Sequence, residues 1–164
     1  MTAADLPSPP PPPPELDDGD LSDLLQELRI LLQGAQLLSA FLILLPFSAG
    51  FASFGLGQRF IYLATLCSSL ASLAIFSAPA VQHRLQRPLR DRASFKEAST
   101  RMIVTGAVPL SIALVLAPQV VVAHVFNAIV GAAVAGTFAL LIGALWWVIP
   151  LIRRRRDRLR SLLP

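Results

Sequence analysis

One stretch constrains the fold more than any other: from Met102 to Ile152 there are 51 residues without a single Asp, Glu, Lys or Arg. As one helix rising about 1.5 Å per residue it would be more than twice the roughly 30 Å thickness of a bilayer's hydrocarbon core. The stretch therefore divides into two membrane spans and a turn. Pro118, Gln119 and His124 mark the expected turn, with a third span over 100–117 and a fourth over 125–149. Pro109 is expected to kink the third span, because proline removes a backbone donor and its ring crowds the preceding turn. Trp146 and Trp147 sit where an aromatic anchor belongs, at the far end of the fourth. Beyond Pro150 the chain turns strongly basic: Arg153, Arg154, Arg155, Arg156, Arg158 and Arg160, interrupted by Asp157.

The same logic gives two earlier spans. No formal charge lies between Arg29 and Arg59, which places a first span over 30–45, ended by Pro46. Residues 47–58, with Gly50, Gly55 and Gly57, read as an apolar connecting loop. The second span covers 60–81, between Arg59 and Arg84, with Tyr62 near its start and Pro79 near its end. Composition agrees. The chain is 54% hydrophobic and 15% charged, with a mean hydropathy of +0.63. A soluble domain carries about 25% charge. The predicted fold is an all-α integral membrane four-helix transmembrane bundle with a disordered proline-rich N-terminus and a basic C-terminal tail.

The regions outside the spans are distinct in kind. Residues 1–20 hold Pro7, the run Pro9–Pro14 and several aspartates, too little apolar surface to offset chain entropy, so disorder is expected. The proline run reads as a solvated tether, with a ligand for a proline-binding module as the sharper alternative. A cleavable signal peptide is not expected, because the first twenty residues lack both basic residues and an apolar core. Asp20 is the expected helix cap of an amphipathic lead-in over 21–29, in which leucines recur at helical spacing. Whether the helix from 21 to 45 is continuous or bends at the membrane surface is open. The transmembrane domain thus spans 21–152 and the tail 153–164.

Orientation follows from charge. The connector over 83–101 carries six basic residues and the tail another six, whereas the opposite side has only Arg59 and His124. By the positive-inside rule the connector and both termini face the cytoplasm, in the plasma (inner) membrane of a bacterium.

Candidate chemistry is sparse, because the spans hold almost no ionisable groups. Glu27 and Arg29 with Gln33 and Gln36 form the candidate polar or ion site; the plainer alternatives are a headgroup-zone pair and interhelical hydrogen bonds. His124 is a lone histidine at an outer edge, and Cys67 a lone thiol in an apolar run. In the fourth span Ala128, Gly131, Ala132, Ala135, Gly136 and Gly143 are small, with four-residue spacing at 128/132/136 and at 131/135, a candidate helix-association face. That face serves either packing inside one bundle or a homo-oligomer seam. The six tail arginines are topology determinants and candidate contacts for anionic lipid headgroups. Nothing interleaves aromatic with basic residues, so nucleic acid is not an expected partner. No catalytic constellation, metal site or cofactor motif is present, so an enzyme is not expected.

The segment Leu21–Phe47, with Gln58–Thr65 and Ala78–Pro79, resembles a bacterial family of four-span membrane proteins of unknown function. The matching positions are Glu27, Leu28, Arg29, Leu32, Gln33, Gly34, Gln36, Pro46 and Phe47, and the likeness covers about residues 20–156. Some members of that family carry the label sodium:proton antiporter. That label implies a small secondary cation or proton transporter as an alternative to a protein acting by association. Such exchange needs a group alternating between proton and cation, and no carboxylate lies within a span here.

Overall fold

The computed structural model describes residues 16–85 and 92–160; side chains of 16–25, 83, 92–96, 154 and 157–160 lie outside the description. Four helices are long and apolar enough to cross a membrane: Gln26–Phe47, Leu56–Gln82, Glu97–Val125 and Ala128–Arg153. No strand occurs among the described residues. The chain is a multi-pass, all-α membrane protein.

Helix α1 runs unbroken from Leu16 to Leu44. It starts earlier than the sequence suggests: Leu16–Asp20 are helical, so Asp20 lies within the helix and is not its cap. The expectations of disorder and of a polyproline segment fall, up to residue 15, outside the described residues. The packed face of α1 is Leu28, Ala35, Ser39 and Leu42, spaced seven, four and three, one stripe of an α-helix.

Pro46 ends α1 as expected, inside a single tight turn, Leu45–Phe47, followed by a second at Ala49–Ser53. Ser48 Oγ donates to the Leu45 carbonyl and Ser53 Oγ to the Gly50 carbonyl, each at 2.7 Å. The loop expected over 47–58 is thus two hydroxyl-braced turns, and α2 begins at Leu56.

Helix α2 (Leu56–Leu85) continues through Pro79. Its buried face is Tyr62, Thr65, Ser69, Ser72, Phe76 and Pro79. These alternate three and four apart, the seam of near-parallel helix packing. Three of the six carry small hydroxyls, which let helix backbones approach.

Helix α3 (Arg92–Val125) contains both Pro109 and Pro118. Here the sequence expectation fails: Pro118, Gln119 and His124 are helical, and the turn is at 126–127. One proline removes one donor, whereas ending a helix in hydrocarbon strands several backbone groups without partners, so the helix continues. At 34 residues, α3 is about 50 Å long at about 1.5 Å per residue, well beyond the expected 100–117.

Asn127 is extended, and its side chain accepts a hydrogen bond from Val130 N at 2.9 Å, capping helix α4 (Ala128–Ile142). A π-helical segment, Gly143–Val148, follows, and helix α5 (Ile149–Arg160) extends it. The chain therefore does not leave the helix at Pro150, and the fourth spanning helix begins at Ala128, not 125. Ile149 N–H bonds five residues back to Ala144 O. The wide turn lies where the Pro150 ring would collide with the Trp146 carbonyl of a regular helix.

Adjacent helices pack in sequence: α1 on α2, α2 on α3, α3 on α4, with a smaller contact between α1 and α3. Among the described residues α4 does not pack on α1. Two core clusters stack along the three-helix part. Leu28, Ala35, Phe76 and Leu110 form one near the end bearing the termini; Leu42, Phe54, Tyr62 and Val120 form the other at the far end.

Candidate functional site

The candidate polar site on α1 does not converge. Glu27, Arg29, Gln33 and Gln36 are all exposed, while Leu28 and Ala35 between them are buried. Helical residues advance about 100° each, which puts Glu27 roughly 120° from Gln33 and on the opposite side from Gln36. Arg29, Gln33 and Gln36 instead share one stripe, facing away from the helices of their own chain. Neither glutamine hydrogen-bonds to another described residue.

The polar groups that do meet inside the chain are hydroxyls. Ser39 Oγ and Ser69 Oγ lie 2.8 Å apart, fully buried between α1 and α2. Thr65 donates to the Ile61 carbonyl and Ser72 to the Ser69 carbonyl, both at 2.7 Å. No buried side-chain polar atom among the described residues lacks a partner. Ser39, Thr65, Ser69 and Ser72 are not among the candidates the sequence singled out; the three- and four-residue spacing of the last three on α2 was the available signal.

The far end is closed by a small aromatic lid that the sequence did not announce. Phe54 is buried, its ring 4.8 Å from Phe51 and 4.7 Å from the His124 imidazole; Phe51 meets Tyr62 edge-on at 5.1 Å. Arg59 holds the lid from beneath, its Nε donating to the Phe54 carbonyl at 3.0 Å and its terminal nitrogen to the Ala52 carbonyl at 3.3 Å. Tyr62 reaches across to the Leu42 carbonyl at 3.0 Å. Gly50 passes so close to His124 that an added Cβ would lie 3.1 Å from Nε2. His124 is thus half-buried against the lid and not a solvated edge residue.

The small residues of α4 divide into two faces. Gly131 and Ala135 are buried, with Ile142 continuing their line toward α3. At Gly131 a Cβ would meet the Ala123 Cβ at 2.6 Å and its backbone at 3.0 Å, so this pair is a seam within the chain. Ala128, Ala132 and Gly136 are exposed, and neither Gly136 nor Gly143 has anything within 4 Å of a built Cβ.

At the terminal end two clefts open. One of about 240 Å³ lies between α1, α3 and the π segment, lined by Leu31, Ile103, Val104, Ala107, Trp146 and Trp147. Trp147 Nε1 points to Ser111 Oγ at 3.4 Å. The second, about 360 Å³, contains the exposed Glu97–Arg101 pair at 2.6 Å beside Ile75 and Met102; exposed pairs of this kind contribute about 0–1 kcal/mol. Arg153, Arg155 and Arg156 are exposed on α4–α5; Arg154, Arg158 and Arg160 lie on the same helix. Cys67 is a free thiol exposed on α2. Among the described residues no group of His, Cys, Asp and Glu is placed to hold a metal ion.

Comparison with protein-family models gives a match over residues 13–150 to a family of unknown function, DUF6328. The chain belongs to this family. The match runs through all four spanning helices and stops at Pro150, ahead of the tail arginines. Comparison with curated proteins and with solved structures gives no match.

Proposed function

We propose that this protein is a non-enzymatic component of the bacterial inner membrane, with both termini in the cytoplasm, and that it works by lateral association with itself or with other membrane proteins. One observation carries the reading: the helices are left open to neighbours. Only 11% of the apolar stretch in the fourth spanning helix, Ala128–Arg153, is buried within the chain, against 28% for the second, Leu56–Gln82. Helix α4 packs on α3 and leaves Ala128, Ala132 and Gly136 uncovered. The cytoplasmic assignment rests on the arginines at the terminal end, the tail set of which also suits anionic headgroups.

The test is crosslinking in native membranes followed by solution mass in detergent. The expected result is a defined complex larger than one chain. A partnerless monomer under both conditions overturns the reading. Orientation is checked by labelling single cysteines introduced at Ser8 and Ser161 from either side of the membrane, with protection from the periplasmic side expected.

A second reading, a small secondary cation or proton transporter, is favoured by the polar stripe of Arg29, Gln33 and Gln36. It is weakened by Glu27, which lies off that stripe. Proteoliposome proton flux under a sodium gradient decides it, with Glu27→Gln alongside. Flux in the wild type that vanishes in the variant establishes transport through Glu27, whereas no flux in folded, inserted protein removes the reading.

A further inference from the structure

The two glutamines of α1 present a problem that the described residues do not solve. The apolar stretch that opens on α1 is Gln26–Phe47, and its uncharged part starts after Arg29. At about 1.5 Å per residue, Gln33 and Gln36 lie roughly 6 and 10 Å beyond Arg29, the second near the middle of the expected 30–45 span. Both are exposed, on the stripe that faces away from α2 and α3, and neither has a hydrogen-bond partner among the described residues.

A primary amide has two donors and an acceptor, and hydrocarbon offers it nothing. Leaving even one such group unpaired is worth at least about a tenfold bias in equilibrium toward any arrangement that pairs it. The exposed Ala128, Ala132 and Gly136 face of α4 exerts no comparable demand, because lipid tails are as apolar as those side chains. Of the two uncovered faces, the one on α1 requires a polar occupant.

We propose that the occupant is α1 of a second copy of this chain, in a two-fold dimer whose seam is Gln33 and Gln36. The argument is self-complementarity. In a pair related by an axis along the membrane normal, each residue meets its own copy at the same depth. An amide carries both donor and acceptor, so Gln33 pairs with the partner's Gln33 and Gln36 with the partner's Gln36. Ala40, next along the stripe and exposed, is small enough to let the two helices close. Arg29 lies one turn outside Gln33, at the level of headgroups and water, where the like charges of the two copies are screened. This dimer rests on the association reading and specifies its face and partner.

The experiment uses the full chain in native membranes, in a Cys67→Ala background so that the exposed native thiol is silent. Ala40→Cys is placed on the proposed seam with both glutamines intact, and Ala132→Cys on the α4 face as the comparison. Oxidation is expected to give a homodimer through Ala40→Cys and none through Ala132→Cys. Gln33→Leu with Gln36→Leu should cut dimer affinity at least tenfold, about 1.4 kcal/mol. Gln33→Asn with Gln36→Asn should retain the dimer, showing that the amide and not the fold is at issue. A dimer through Ala132→Cys alone, or a crosslink from Ala40→Cys to a different protein, overturns this proposal and leaves the association reading standing. A monomer at every position, in membranes and in detergent, overturns both.

Discussion

Substituting Gly131 by alanine tests how α4 is held. The added Cβ would lie 2.6 Å from the Ala123 Cβ and 3.0 Å from its Cα and N. Packed carbon atoms settle about 3.5–4.0 Å apart, so α4 must withdraw from α3 by roughly 1 Å. The obstacle is a methyl group and backbone, with no rotamer to turn aside. Overpacking of this kind costs about 1–3 kcal/mol. Alanine also favours a helix over glycine by about 1 kcal/mol, which would blur a single measurement. Gly136→Ala carries the same intrinsic gain and meets nothing within 4 Å, so the difference between the two variants isolates the clash. Reversible unfolding in mixed micelles, followed by fluorescence of Trp146 and Trp147, provides the readout. Gly131→Ala should be less stable than Gly136→Ala by about 1–3 kcal/mol, and adding Ala123→Gly, which removes the methyl but not the backbone contacts, should cost less than the sum of the two single changes. Equal stability of the two single variants would refute the seam.

Three further outcomes are expected. Arg59→Gln removes the bonds to the Phe54 and Ala52 carbonyls, so amide exchange over 48–55 should quicken while global stability changes little; unchanged exchange would show that the lid holds without Arg59. A double-mutant cycle of Ser39→Ala and Ser69→Ala, whose hydroxyls lie 2.8 Å apart, should give a coupling of about 0.6 kcal/mol, and zero coupling would mean the bond is not formed in the bilayer. Replacing Arg153, Arg154, Arg155, Arg156, Arg158 and Arg160 with glutamine should lower the anionic lipid retained in nanodiscs of mixed composition; equal retention would remove the tail from lipid binding.

Charge spacing made the architecture legible, because a formal charge inside hydrocarbon is costly enough to dominate local preference. The gaps Arg29–Arg59, Arg59–Arg84 and Met102–Ile152 thus locate all four spanning helices. Boundaries were less legible where proline was the marker. Pro46 does end a helix, yet Pro79, Pro109 and Pro118 are carried through. Local backbone preference loses to the demand that backbone groups stay paired in a membrane. The lid was hidden for a different reason. Phe54, Arg59 and His124 belong to three separate segments, and no periodicity links them. The two roles of the small residues on α4 were likewise invisible, since four-residue spacing marks a close approach without saying which neighbour arrives.

The π segment ahead of Pro150 sets the azimuth of everything that follows it. A π turn holds one residue more than an α turn, so it shifts the phase of the downstream helix by about 100°, one residue's worth of rotation. The backbone of helix α5 is therefore rotated by a single surplus residue. Deleting Ala144 alone would leave the Pro150 ring facing the Trp146 carbonyl, so only the deletion combined with Pro150→Ala would return the helix to regular register and turn the backbone of α5 about its axis without altering one charge. The azimuth at which the helix carries its basic segment is thus encoded as a rotation, at a place where composition and net charge are blind to it.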